Sequence, residues 1–137
     1  MFQNETVCQK NKLKNVLVLA FIGDSIFTTF IRSKIIEMSN ENSGSLHKKA
    51  NFYVKASGQA IAYNTLIEKN YFDEVEKAIG KRARNCKLNH TAKNASLVEY
   101  RDATSLESII GYLYLSEKND RLFEMLENIY NILNEVK

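Results

Sequence analysis

Proline is absent from this 137-residue chain, and glycine occurs only five times. Strand punctuation and hairpin dipeptides are therefore missing, which favours helices over sheets. Cysteine is as scarce. Cys8 and Cys86 form no Cys-x-x-Cys pair, and no cluster of histidines stands beside them, the chain having only His47 and His90. That spacing speaks against a zinc site or a disulfide scaffold, and both thiols read as free, as in a reducing cytoplasm. The apolar run "VLVLAFIG" behind Lys10, Lys12 and Lys14 has the outline of a signal peptide, but no small-x-small cleavage site follows it. The run is also short of the roughly 18 residues that a membrane span needs. A core helix is expected, with no membrane partner.

What is present is ordinary in total and uneven in place. Hydrophobic residues make up 45% and charged residues 26%, enough for one folded domain over residues 1–137 with a loose first dozen. The net charge of +3 hides a basic segment. Residues 77–98 contain Lys77, Lys81, Arg82, Arg84, Lys87 and Lys93 and no acid, whereas residues 99–137 carry eight acids against four bases. Such a segment points to a polyanion partner.

The apolar spacing predicts an all-α fold. A buried helix runs from about Val16 to Met38 and breaks at "NENSGS". A second starts near Ser45, which would cap it, and continues through "LHKKANFYVKASGQAIAYNTLIEKN" with Leu46, Phe52, Ala56, Ala60, Tyr63 and Ile67 on one face. Asp73 opens a short helix that ends in Lys81, Arg82 and Arg84, with acids and bases placed to suit the helix dipole. Residues 85–95 read as an exposed loop. Ser96 caps a long helix to Leu115, and Asn119 a last one to Val136 with Leu122, Leu126, Ile129 and Leu133 inside.

Two of these helices share an unusual feature. "LAFIGDSIF" sets Gly23 and Asp24 in a greasy run, although glycine costs about 1 kcal/mol in a helix interior. "TSLESIIGYLYL" repeats the pattern with Glu107 and Gly111. Glu107 shares its face with Gly111, beside Ala103 and Thr104, and Asp24 shares its face with Ala20, beside Gly23. Two small-residue patches let helix backbones come close and aim both acids at one space. A divalent cation between the acids would remove the penalty of burying them; the alternative is that each acid satisfies a local hydrogen-bond partner.

The same stretches resemble a family. "LAFIGDSIF" is similar to the ribonuclease III signature and "TSLESIIGYLYL" to that family's later catalytic helix. "LHKKANFYVKASGQA", "GKRARNCK" and "YRDATSLESIIGY" follow the order seen in the Mini-ribonuclease III branch, which has the catalytic domain without a separate double-stranded-RNA-binding domain. The resemblance runs from about Asn15 to Leu133. It implies a helical homodimer in the cytoplasm that cuts double-stranded RNA with Mg²⁺, for which Mn²⁺ can substitute. It also implies that Asp24 and Glu107 are the essential acids and metal ligands. Full-length members usually carry two further acids, at the positions of Ala20 and Thr104 here. Their loss matches the Mini-ribonuclease III branch.

From that resemblance come the base-paired ends of the large-subunit (23S) ribosomal RNA precursor as substrate, and a ribosomal protein as an accessory partner. Lys48, Lys49, Arg82, Arg84, Lys87 and Lys93 are the candidate RNA contacts, with Lys55 a further one, because duplex RNA is recognised by shape and phosphate. His47 is a candidate for touching RNA or positioning its helix. Phe27, Phe30 and Ile31 are candidates for the dimer contact. The competing reading is a non-catalytic RNA-binding or dimerisation module on the same fold.

Overall fold

The computed structural model describes residues 15–38, 42–86 and 96–137, and among the described residues every regular element is an α-helix. In chain order these are α1 (Val16–Met38), α2 (Ser43–Val54), α3 (Ala56–Glu68), α4 (Glu74–Arg84), α5 (Leu97–Leu115) and α6 (Asn119–Val136). Two of them start on the polar caps that the sequence suggests, whereas Asn119, expected to cap α6, is its first residue, and Lys118 before it makes no side-chain cap. Asp73 and Glu76 form a reciprocal capping box on α4, and Ser96 and Glu99 form another on α5. Helix α2 begins earlier than expected: Asn42, not Ser45, is its cap, accepting from the Ser45 amide at 3.0 Å.

The expected single helix after the break is two. At Lys55 the backbone is extended (φ −67°, ψ 158°), ending α2 and starting α3. Gly58 lets the corner close, since a Cβ there would lie 2.6 Å from the Phe52 carbonyl oxygen. The corner also rotates the face: Ala50, Tyr53, Ala62, Tyr63 and Leu66 are buried, whereas Ile67, expected inside, is exposed. A periodicity drawn through an unseen corner necessarily loses register.

Helix α5 lies at the centre, packed against α1, α3, α4 and α6. Leu106, Ile109, Ile110 and Leu113 are fully enclosed, together with Leu19, Phe27 and Ile31 of α1 and Met125, Ile129 and Leu133 of α6. Small polar residues of α5 stitch it to its neighbours: Ser108 Oγ donates to the Val16 carbonyl and Ser105 Oγ to the Gly80 carbonyl, both at 2.8 Å. A buried ion pair joins α4 to α6, with Arg121 donating through Nε and Nη2 to the two oxygens of Glu76 at 2.9 and 2.8 Å.

Two expectations change here. Helix α1 as a whole is long and apolar enough to cross a membrane, but one of its faces is built into the core of the domain through Leu19, Gly23, Phe27 and Ile31. The candidates for a dimer contact are also reassigned. Phe27 and Ile31 are interior residues of one chain, and Phe30 packs edge-on against Phe123 and Tyr130. The large apolar side chains that α1 leaves to water are Val18, 52% exposed, and Phe21, 80% exposed, in its first two turns, and Ile36 and Met38 at its end.

Candidate active site

Gly23 and Gly111 mark the crossing of α1 and α5. A Cβ on Gly23 would overlap the carbonyl oxygen of Glu107, and a Cβ on Gly111 would overlap the carbonyl oxygen of Leu19. Each glycine thus receives the other helix's backbone, and the contact is reciprocal. Ala20, also buried, and Thr104 keep the surroundings small. Thr104 Oγ1 donates back to the Tyr100 carbonyl at 2.9 Å, so its hydroxyl is occupied within its own helix.

This crossing brings the two acids together. Asp24 stands on the water side of α1, and Glu107 is partly buried on α5 within hydrogen-bonding reach of it. Burial first, and then the neighbouring Asp24 charge, push the Glu107 carboxyl up to about 8, although a hydrogen bond from Gln59 favours its ionised form. Two carboxyls in contact at one site cannot both ionise comfortably without a compensating positive charge.

A third group supports the site. Gln59, only 2% exposed on α3, donates through Nε2 to Glu107 Oε2 at 3.1 Å and to the Val54 carbonyl at 2.8 Å. Among the described residues its Oε1 is buried without a partner. The sequence reading missed this residue. The available signal was a lone amide in "ASGQAIA", a stretch otherwise of small and apolar side chains.

The donor set is all oxygen: the two carboxylates of Asp24 and Glu107. Such a set suits a hard divalent cation such as Mg²⁺, which keeps much of its water and takes one or two carboxylates. Among the described residues no group of three or more His, Cys, Asp or Glu side chains gathers to hold a metal. The fit is therefore to a sparse, hydrated site.

The basic residues divide. Lys48 and Lys49 are exposed on α2, and Arg82 is exposed near the end of α4. Lys55 occupies the α2–α3 corner, next to the Val54 carbonyl that Gln59 links to Glu107. Arg84 has a second engagement that the sequence did not show. It forms an ion pair with the buried Asp102, whose other oxygen accepts from Asn64 at 2.9 Å. Lys87, Lys93 and His90 lie outside the described residues. His47 lines a small hollow of about 150 Å³ with Arg32, Ile35, Ile36 and Leu46, and neither acid lines it.

Comparison with known proteins bears on the whole arrangement. Residues 17–118 match the model of the "Ribonuclease III domain" family. The chain is 41% identical to the Mini-ribonuclease 3 of Clostridium tetani, over 93% of this chain and 83% of that relative. It is 40% identical to that of Brevibacillus brevis, over 96% of both. A Fusobacterium nucleatum protein solved by X-ray crystallography is similar in structure, with a TM-score of 0.78 and 33% identity over 87% of this chain and 93% of that one. With its signature helix and its later acidic helix crossing at paired glycines, this chain belongs to the ribonuclease III family, in its Mini-ribonuclease 3 branch.

Proposed function

We propose that the chain is a divalent-metal-dependent endoribonuclease that hydrolyses double-stranded RNA as a homodimer. The observation that carries this reading is the contact between Asp24 and Glu107 at the glycine crossing, two acids of which Asp24 is exposed to water. Asp24 and Glu107 would hold Mg²⁺, with Mn²⁺ as a substitute. When bound, the ion supplies an activated water and stabilises charge on the leaving 3′ oxygen. The chain's own part is to fix the two carboxylates, through Gly23, Gly111 and the Gln59 hydrogen bond, and to hold the duplex phosphates near them. Lys48, Lys49, Lys55 and Arg82 are the phosphate contacts we favour. Arg84 supplies at most the free edge of a guanidinium already paired with Asp102.

Cutting a duplex needs a site for each strand, and a two-fold dimer supplies them. The exposed Val18 and Phe21 precede Asp24 on the same helix, so an isologous contact there would place two sites beside one axis. Phe21→Glu is expected to yield a folded monomer that binds duplex weakly and no longer cuts both strands. Sedimentation at micromolar concentration checks this, and a Phe21→Glu protein that still sediments as a dimer would remove the face from consideration.

By the same family membership we assign the cytoplasmic large-subunit (23S) ribosomal RNA precursor as substrate, with a ribosomal protein as accessory partner. The direct experiment incubates the pure protein with a long RNA duplex and the matching single strand, in Mg²⁺ and in EDTA. Metal-dependent cutting of the duplex alone is the expected result. Tight duplex binding without cutting, in both Mg²⁺ and Mn²⁺, would instead make the protein a scaffold, a reading that the missing acids at Ala20 and Thr104 keep open to test.

A further inference from the structure

The amide of Gln59 has one orientation compatible with its surroundings. The Val54 carbonyl can only accept, so the amide nitrogen must face it, and the second N–H reaches Glu107 Oε2. In an unbroken helix the Val54 carbonyl would be bonded to a backbone amide four residues on. The corner at Lys55 removes that partner, and the Gln59 side chain replaces it. Both amide protons are then used, and Oε1 is left buried with no donor among the described residues. Buried acceptors are nearly always satisfied, by protein or by ordered water.

We propose that Gln59 is a positioning residue of the cation site: Nε2 holds the Glu107 carboxylate in place, and Oε1 accepts a hydrogen bond from a water molecule of the hydrated divalent cation that Asp24 and Glu107 bind. The proposal rests on the metal-nuclease reading above. It explains the residue type. A carboxylate at this position would add a third like charge beside the two acids. A lysine would neutralise that pair and compete with the cation. An amide supplies a donor to the ligand and an acceptor to its water without changing the charge, as groups behind metal ligands commonly do.

Mn²⁺ is the probe. The protein without RNA is titrated with Mn²⁺, and free ion is followed by electron paramagnetic resonance, for wild type, Gln59→Leu and Glu107→Gln. Gln59→Leu is expected to weaken Mn²⁺ binding by roughly 10–100-fold, the usual scale for outer groups of a metal site. Duplex affinity in EDTA should stay within about twofold of wild type, because electrostatic phosphate contacts dominate it. In cleavage, the metal concentration for half-maximal rate should move further than the rate at saturating Mn²⁺. A folded Gln59→Leu protein with wild-type Mn²⁺ affinity overturns the proposal and leaves the nuclease reading standing. A wild-type protein that neither binds Mn²⁺ nor cuts duplex overturns both.

A second measurement needs no variant. The chain has three glutamines, Gln3, Gln9 and Gln59, so ¹⁵N-glutamine labelling gives three side-chain amide pairs. The Gln59 pair is assigned through its contacts with Val54 and Glu107. Mg²⁺ is expected to shift it selectively, and an unmoved pair at saturating Mg²⁺ overturns the proposal.

Discussion

Asp24→Asn is expected to abolish cleavage while making the metal-free protein more stable. Removing this carboxylate takes away half of the acidic ligands, and a loss of roughly a thousandfold or more fits the removal of an electrostatic stabiliser from a transition state. Stability moves the other way because Asp24 is part of what holds the Glu107 carboxyl near 8 rather than its ordinary 4.5. With its folded pKa raised, Glu107 binds a proton more tightly in the folded chain than in the unfolded one. Its contribution to stability is full below the unfolded value and is lost as pH rises through about 8. The metal-free wild type should therefore melt lower at pH 8 than at pH 5, by roughly 5 °C or more. Glu107→Gln should flatten that slope, and Asp24→Asn should reduce it.

Metal reverses the sign. A cation between the acids binds the folded state alone and favours ionised Glu107, so the gain in Tm on adding Mg²⁺ should grow from pH 6 to pH 8. Melting curves with and without Mg²⁺ test both statements at once. An Asp24→Asn protein that melts several degrees lower than wild type in EDTA would mean that Asp24 serves the fold, and the site would need another explanation. The combination of lost activity and gained stability separates a functional acid from a structural one, which neither reading does alone.

Much of this was legible in the residues because the signals were local. Ser96 with Glu99, and Asp73 with Glu76, fall where a capping box requires them, and both boxes form. The spacing of Leu122, Leu126, Ile129 and Leu133 marks the inner face of α6, and all four are buried. Gly23 and Gly111 promised a close approach, and each meets the opposite backbone. What escaped was set by tertiary contact. The corner at Lys55 carries no proline and no turn dipeptide, so the spacing around it read as one helix. The burial of Asp102 against Arg84 and Asn64 depends on three separate elements meeting. Gln59 showed only as a lone amide in a small and apolar stretch, because the partners that give it a task are five and forty-eight residues away. Phe21 and Phe27 differ in burial by their position around α1, a distinction that a helix apolar on nearly every side does not announce.

Gly23→Ala and Gly111→Ala should each disable the enzyme although neither residue has any chemistry. In an isolated helix either change would stabilise, by about 1 kcal/mol. Here a new Cβ at Gly23 would stand 2.7 Å from the Glu107 carbonyl carbon and 3.0 Å from the Gly111 nitrogen. At Gly111 it would stand 2.8 Å from the Leu19 carbonyl carbon. These neighbours are backbone, with no rotamer to turn, so α1 and α5 must separate. Overpacking of this kind costs about 1–3 kcal/mol, and a rigid obstacle belongs at the upper end. A net loss of about 2 kcal/mol is expected from denaturant unfolding. Activity should fall further than stability, because displacing a reacting group by about 1 Å can cost roughly a hundredfold, and the crossing sets the spacing of Asp24 and Glu107. Gly44→Ala is the control: only the Asn42 side chain lies near, at 3.4 Å, so stability and cleavage should stay as in wild type. The double variant decides whether one movement underlies both effects. If separating the helices for the first methyl makes room for the second, its destabilisation will fall well short of the sum of the two singles. Full additivity would mean that the two glycines relieve independent contacts, and that the acids are not held by a single shared crossing.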